Sequence, residues 1–283
     1  MWLVYSLLTA LTQAGADTCV KSLKGRYHPW QLLWARSLFW GVLAILLLPF
    51  VRVKGIPLRF WGIMGVDLPL ELAAIYLYWR SIEHSPLSLA LPFLSFTPLF
   101  LLLTSPILTR EGVSMAGGFG VVLVTAGSYI LLSEERKPLS FLRTLKRERG
   151  CQLMLGVAAI YSITANLGKL AIKATSPIFV AVFFSGEMLV VSAVVLKATR
   201  TERPHLKRDP LLAGMGVLSA FSLLFHVVAI NLVQVPYMIA VKRTSALWGL
   251  IMGLVIFREG RPLGRLAGGV LMVAGAVVIS IWG

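Results

Sequence analysis

Arg110-Glu-Gly-Val-Ser-Met-Ala-Gly-Gly-Phe-Gly120 and Arg258-Glu-Gly-Arg-Pro-Leu-Gly-Arg-Leu-Ala-Gly268 open the same passage, 148 residues apart. Both continue into an apolar run: Leu123, Ala126 and Gly127 in the first, Leu271, Ala274 and Gly275 in the second. The offset holds upstream, where Lys21 matches Lys169, Pro29 matches Pro177 and Ser37 matches Ser185. The chain is one apolar unit written twice. Internal duplication of this kind is a feature of membrane transporters, whose two repeats can rock against each other.

Composition identifies the solvent. Apolar residues make up 57% of the 283 and charged residues 14%; mean hydropathy is +0.82. A soluble domain is about one quarter charged. Val113 to Leu132 carries no charge and has the ~20 residues a bilayer crossing needs. Ala14-Gly15-Ala16 has the form of a signal-cleavage site. No basic region precedes that run, and the second copy retains its counterpart, so it is expected to be a mature helix. The net charge of +15 does not point to nucleic acid, because the basic residues lie between apolar runs, as topology signals and lipid-headgroup contacts. Cys19 and Cys151 have no metal or disulfide spacing, and no cofactor or metal is expected.

The runs bounded by charges, Pro and Gly predict ten helices, near 2–20, 30–51, 58–79, 86–108, 113–133, 151–172, 177–198, 210–232, 235–257 and 262–282. The expected fold is an all-α membrane protein of ten transmembrane helices in two inverted five-helix repeats. Residues 1–133 form the first repeat, 134–150 a basic linker, and 151–283 the second. Five spans per copy send the second copy into the membrane from the opposite side. The face shared by the termini holds Arg52, Lys54, Arg59, Arg110 and Lys173. The other face holds the remaining loop cations, including those of the linker, and the positive-inside rule makes it cytoplasmic.

Ten spans, a five-plus-five duplication, and an apolar helix ending in Arg-Glu-Gly before a glycine-rich helix in both halves resemble the EamA-type branch of the drug/metabolite transporter superfamily. Tyr237-Met-Ile-Ala-Val-Lys-Arg-Thr-Ser-Ala-Leu247 leading into Phe257-Arg-Glu-Gly260 is part of that resemblance. It implies a helical bundle around a central cavity that moves small metabolites, amino acids among them, in the cytoplasmic membrane of a prokaryote. It also implies cytoplasmic termini, opposite to the charge count, and the orientation stays open.

Charges inside spans mark sites, because each costs at least about 2.5–3.5 kcal/mol unless it faces a cavity or a partner. Lys242 and Arg243 fall about 10–12 Å along the ninth helix and Glu187 about 15 Å along the seventh. Adjacent helix positions diverge by about 100°, so Lys242 and Arg243 point to different neighbours. Together with Glu187 they form either a substrate site for a carboxylate or phosphate, or an internal salt bridge that fixes packing. Asp67 and Glu71 share a face of the third helix with Tyr78. They are candidates for coupling to an ion such as a proton, or for neutralisation by Arg36, a structural charge partner on the second helix. Asp17 and Lys21 read as a structural i,i+4 pair, and His226 as a packing residue. Pro86, Pro92, Pro98 and Pro106 interrupt the fourth span around Ser95 and Thr97. Carbonyls freed by proline suit either a cavity wall or kinked packing. The fourth and ninth spans align with a two-residue ambiguity, since Ala90–Glu111 is longer than Ala240–Glu259. The glycines at 117, 118, 120, 127, 268, 269 and 275 suit close helix contact, within the chain or between two copies.

The expected function is secondary active transport of a small polar or anionic metabolite by alternating access, by a monomer or homodimer in the bilayer. No catalytic constellation and no ATP-binding motif is present, so no enzyme is expected and the energy comes from a gradient or exchange. A lipid-head-group flippase and a non-transporting scaffold are the alternatives.

Overall fold

A computed structural model describes residues 1–23, 25–52, 55–133, 140–204, 209–256 and 263–283. The second Arg258-Glu259-Gly260, the linker residues 134–139, and the loop cations Lys24, Lys54, Lys207, Arg208 and Arg261 lie outside them.

Among the described residues the chain is helical, with no strand. The elements are α1 Trp2–Ser22, α2 Pro29–Leu47 with a 3₁₀ turn at Leu48–Phe50, α3 Leu58–His84, α4 Leu87–Leu94, α5 Thr97–Leu108, α6 Met115–Leu132 and α7 Ser140–Arg147. They continue with α8 Arg149–Ala174, α9 Pro177–Ala198, α10 Pro210–Leu232, α11 Val235–Lys242, α12 Ser245–Ile256 and α13 Leu263–Trp282. Eight helical stretches are long and apolar enough to cross a membrane, taking Leu89–Leu108 and Val235–Ile256 each as one. The polar positions of α1 keep it below that hydropathy, and the apolar part of α13 is shorter, Leu266–Trp282. The chain is an integral membrane protein of the helical class.

Local signals set the starts. Pro29 and Pro177 each take the first helical position, where the missing N–H would have no partner. His28 caps α2 reciprocally with Gln31, and Ser176 caps α9 through the Phe179 N–H at 3.1 Å. Ser114 caps α6 and Asp209 caps α10 in the same manner. The expected linker is partly helical: α7 occupies Ser140–Arg147, and Arg149 and Gly150 already belong to α8.

Packing pairs the halves. α1 lies along α10 and α3 along α8, while α2 lies along α9 and α6 along α13. The α6–α13 contact is the closest, and it explains the glycines. A Cβ on Gly127 would stand 2.5 Å from the Gly268 oxygen, and one on Gly268 would stand 2.6 Å from the Gly127 oxygen. Gly120 and Gly275 face each other in the same way. Only hydrogen side chains permit that approach, so these glycines serve packing within the chain. Gly118 and Gly112 are not close to anything there.

Contacts at helix ends define two faces. On one, Arg26 pairs with Asp209 at 2.9 Å and Ser85 donates to Glu148 at 2.7 Å. On the other, Ser114 donates to the Trp282 carbonyl at 2.8 Å. There Glu111, which follows α5, pairs with Lys169 at 2.7 Å and Lys173 at 3.1 Å, both near the end of α8. Glu111 also accepts the Val235 N–H at the start of α11, at 3.2 Å. Burial pushes the Glu111 carboxyl up, but the hydrogen bonds and charge of Lys169, with Lys173 and the Val235 N–H, outweigh it and hold it below its usual value. A recess of about 360 Å³ opens beside this knot, bordered by Lys169, Lys173 and residues Asn231–Gln234.

Candidate functional site

The fourth and ninth spans are both broken, and at equivalent places. α4 and α11 each run for 8 residues, α5 and α12 each for 12. The gaps are Ser95-Phe96 and Arg243-Thr244. The 148-residue offset therefore holds through both spans, and the two-residue ambiguity does not arise before their ends. It also sets Leu94 opposite Lys242 and Ser95 opposite Arg243. The prolines flank the first break, and Pro92 and Pro98 correspond to Ala240 and Ala246. The second break has no interior proline, so proline does not cause it.

At the breaks the two halves touch. Arg243 Nη2 donates to Thr97 Oγ1 at 2.8 Å, and Thr97 Oγ1 donates to the Leu94 carbonyl at 2.8 Å. Thr97 is buried, and its hydroxyl spans from one break to the other. Arg243 Nε has no hydrogen-bond partner. Lys242 turns elsewhere, with Nζ 3.4 Å from His226 Nδ1 on α10. The divergence expected of adjacent positions is present. Ser95 is also buried, and its hydroxyl is engaged with Ser128 Oγ on α6 at 2.8 Å.

Lys242 and Arg243 are half-buried and Asp17 is exposed, although each lies within the electrostatic reach of groups from several helices. Asp17 on α1 lies in the field of Arg36, Lys242 and Arg243 and accepts the Gln13 amide at 2.9 Å. Tyr78 lies near Asp17 and Arg36. Tyr161 on α8 lies near Arg243, Glu71 and Tyr78. Glu71 lies near Thr164 and Lys242. Side chains from α1, α2, α3, α8 and α11 converge here, and the exposure that Asp17, Lys242 and Arg243 keep is what an interior cleft between these helices would give. Charges are tolerated at that depth where a cleft or a partner receives them.

Several expectations change. Glu187 does not form an ion pair with Lys242 or Arg243 among the described residues. Its electrostatic neighbour is Glu71, and its Oε2 is buried with no hydrogen-bond partner. Arg36 lies in the field of Asp17 and Tyr78 and forms no ion pair with Asp67 or Glu71 among the described residues. Asp67 is 5% exposed, and the groups near it are Glu71 and Glu187. Lys169, read as an in-span cation, is the partner of Glu111 and the Val233 carbonyl and lies away from the cleft. Asp17 and His226 belong to the cleft, and sequence reasoning had set both aside. For Asp17 the signal was present: at the 148-residue offset its counterpart is Ala165, whereas Lys21 is matched by Lys169.

A solved crystal structure superimposes on all of this chain and on 99% of its own, with a TM-score of 0.79 at 15% identity. That likeness concerns the fold. The probable 4-amino-4-deoxy-L-arabinose-phosphoundecaprenol flippase subunit ArnE of Enterobacter sp. (strain 638) is 30% identical over 73 residues, 26% of this chain and 68% of that protein. The sequence profile of the EamA-like transporter family matches residues 1–133 and again 148–281. Two matches, together covering nearly the whole sequence, place the chain in that family: it belongs to the EamA-like transporters.

Proposed function

We propose that this protein is a secondary active transporter that moves a small polar or anionic metabolite by alternating access, in the cytoplasmic membrane of a prokaryote. Ten helices in two inverted five-helix repeats, 1–133 and 151–283, would supply the two conformations. The exchange-symmetric packing supports this: swapping the halves turns the α1–α10 pair into α8–α3 and leaves α2–α9 and α6–α13 as they are. Two family matches, one per half, support the division.

The observation that carries the reading is the cation pair at the break of the ninth span. Lys242 and Arg243 stand at mid-span, half-exposed to a cleft, and Arg243 keeps an unpartnered Nε. A guanidinium and an ammonium so placed fit a carboxylate or phosphate, for which charge-assisted hydrogen bonds are the strong contacts. Asp17 and Glu71 lie in the electrostatic field of the cations without forming an ion pair to them among the described residues, so a bound anion would exchange a distant internal counter-charge for a direct one. Such a trade of internal for external anions is reversible, as a carrier requires. Energy comes from a gradient or exchange. Thermal-shift screening of the purified protein against anionic, zwitterionic and cationic metabolites, followed by counterflow in proteoliposomes, tests the reading. Stabilisation by organic cations alone would sink the Lys242–Arg243 site.

A flippase is the second reading, favoured by the flippase-subunit relative. It predicts that headgroup analogues bind and that labelled lipid changes leaflet in the same vesicles, with no counterflow of free solutes.

A further inference from the structure

Four span ends meet at one face: those that close at Leu108, Ala174 and Leu232, and the one that opens at Val235. The recess of about 360 Å³ lies there, bordered by Glu111, Lys169 and Lys173 and by residues 231–234. The charges around it do not balance. One carboxylate serves two ammonium groups: Glu111 Oε1 accepts from Lys169 at 2.7 Å and from Lys173 at 3.1 Å, while Oε2 accepts the Val235 N–H at 3.2 Å. Glu111 is engaged at both oxygens, and one positive charge is left over. The donors do not balance either. An ammonium has three N–H groups. Lys169 uses two, on Glu111 and on the Val233 carbonyl at 2.6 Å, and Lys173 uses one. One N–H on Lys169 and two on Lys173 remain without a protein acceptor among the described residues. Lys169 is 4% exposed, and a buried ammonium is costly unless its donors are satisfied. Asn231 and Gln234 also border the recess and carry amide donors. Arg59, whose Nη2 donates to the Lys173 carbonyl at 3.3 Å, adds a cation at the same end of α8.

We infer that this recess is a binding site for a phosphate group, held by Lys169 and Lys173 with the amides of Asn231 and Gln234. Donors reach the recess from two sides, the end of α8 and the turn between α10 and α11. A tetrahedral oxyanion presents oxygens in several directions and can meet both sides, and an ammonium binds it as a point charge. Its place at span ends is the depth of the headgroup layer, where basic pockets between helices receive lipid phosphates. The phosphate has two sources with one chemistry: the headgroup of an anionic lipid, or a free phosphate or phosphomonoester from the water. This site does not depend on the transporter reading of Lys242 and Arg243, which stand at mid-span.

The test is thermal unfolding of the purified full-length protein in neutral detergent at neutral pH, with ionic strength held constant by sodium chloride. The probes are inorganic phosphate and, in separate mixed micelles, phosphatidylglycerol. Phosphatidylcholine is the reference lipid, because its own cation neutralises its phosphate. A ligand that binds only the folded state raises the midpoint with its concentration. The expected result is a saturable rise with phosphate, with phosphatidylglycerol, or with both. In Lys173→Gln the concentration needed increases about tenfold, as loss of a charged partner implies. In Asn231→Ala it increases about threefold, as loss of a neutral hydrogen bond implies. Both substitutions leave the Glu111–Lys169 pair in place, and the midpoints without ligand separate lost binding from lost folding. In the double variant Lys242→Met, Arg243→Met the response persists, which separates the recess from the mid-span cations. A rise with phosphatidylglycerol and none with phosphate assigns the site to a lipid headgroup. A rise with phosphate, and phosphatidylglycerol no better than phosphatidylcholine, assigns it to a free solute. A rise with both makes the phosphate group itself the determinant. The inference is overturned if neither probe stabilises the parent beyond its chloride or phosphatidylcholine reference, if Lys173→Gln and Asn231→Ala both keep the parent's concentration dependence, or if the double variant loses the response.

Discussion

The two broken spans have the same architecture and opposite chemistry. α4–α5 and α11–α12 break at equivalent residues, but the first break carries Leu94-Ser95 and the second Lys242-Arg243. The difference extends to the seams that follow. Between α5 and α8, Asn166 donates to Thr104 at 3.0 Å and to the Ser162 carbonyl at 2.8 Å, and accepts from Ser105 at 2.8 Å. The equivalent seam lies between α12 and α1. There the residues that match Asn166 and Thr104 are Thr18 and Met252, joined by one hydroxyl–thioether contact of 3.4 Å. Ser105 is matched by Gly253 and Ser162 by Ala14. On the first seam Glu111 also pairs with Lys169 and Lys173 as an ionic clasp; its counterpart Glu259 lies outside the described residues. At the matched positions that are described, one copy holds a polar cluster and the other a hydroxyl, a thioether, a glycine and an alanine. The second copy carries the mid-span cations. Duplication kept the backbone, and divergence changed the chemistry placed on it.

The sharpest way to break this comparison is at the charges. Replacing Lys242 and Arg243 by Met should lower flux of the cargo found by screening about 100-fold, from the loss of two charge-assisted partners. Placing Lys and Arg at 94 and 95 in that background should not restore it, because Ser95 is buried against Ser128. Counterflow in proteoliposomes measures both. If the transplanted pair works, the halves are functionally equivalent and the contrast between the breaks carries no function.

The clasp comes next. Glu111→Gln leaves Lys169 without its buried anion and should cost about 3–5 kcal/mol, read as a fall in the unfolding midpoint. The same clasp predicts a pH dependence. Glu111 is held below its ordinary value of 4.5 in the folded protein. Its contribution is therefore full above the unfolded value and is lost as pH falls through the depressed folded value. Midpoints of the parent should fall below about pH 4.5 more steeply than those of Glu111→Gln. Equal slopes would remove Glu111 from the clasp.

The seams differ by a smaller amount. Asn166→Ala should cost about 1–3 kcal/mol by leaving buried hydroxyls unsatisfied, and Thr18→Ala about 0.5 kcal/mol or less. A larger cost at Thr18 than at Asn166 would reverse the comparison. Where the halves are alike, the effects should be alike. Gly127→Ala and its counterpart Gly275→Ala meet backbone at 2.5 and 2.6 Å and should destabilise to the same extent, whereas Gly118→Ala meets nothing closer than 3.8 Å and should be neutral. A neutral Gly127→Ala would deny the close α6–α13 contact.

Much of this was legible in the chain. The ends of α9 and α10 and the start of α11 fall where charges, Pro and Gly place them, because a bilayer permits only backbone that satisfies itself and the punctuation is read locally. The paired glycines were legible as contact residues, though not which helix they meet. The mid-span breaks were half legible: prolines announce the first, and nothing local announces the second. The site was legible as a set of costly residue types, Lys242, Arg243, Asp67, Glu71 and Glu187, and the asymmetry between copies singled out three of them.

Sequence by itself determined that the chain is helical, lives in lipid and consists of one unit twice, since hydropathy, period and repetition are properties of the string. Only the tertiary structure decided which charges meet. It separated Glu187 from Lys242 and grouped it with Asp67 and Glu71, moved Arg36 to Asp17, and gave Lys169 to Glu111. The reason is geometric. Depth along a helix follows from residue number at about 1.5 Å per residue, but the direction a side chain takes across the bundle depends on which helices are neighbours.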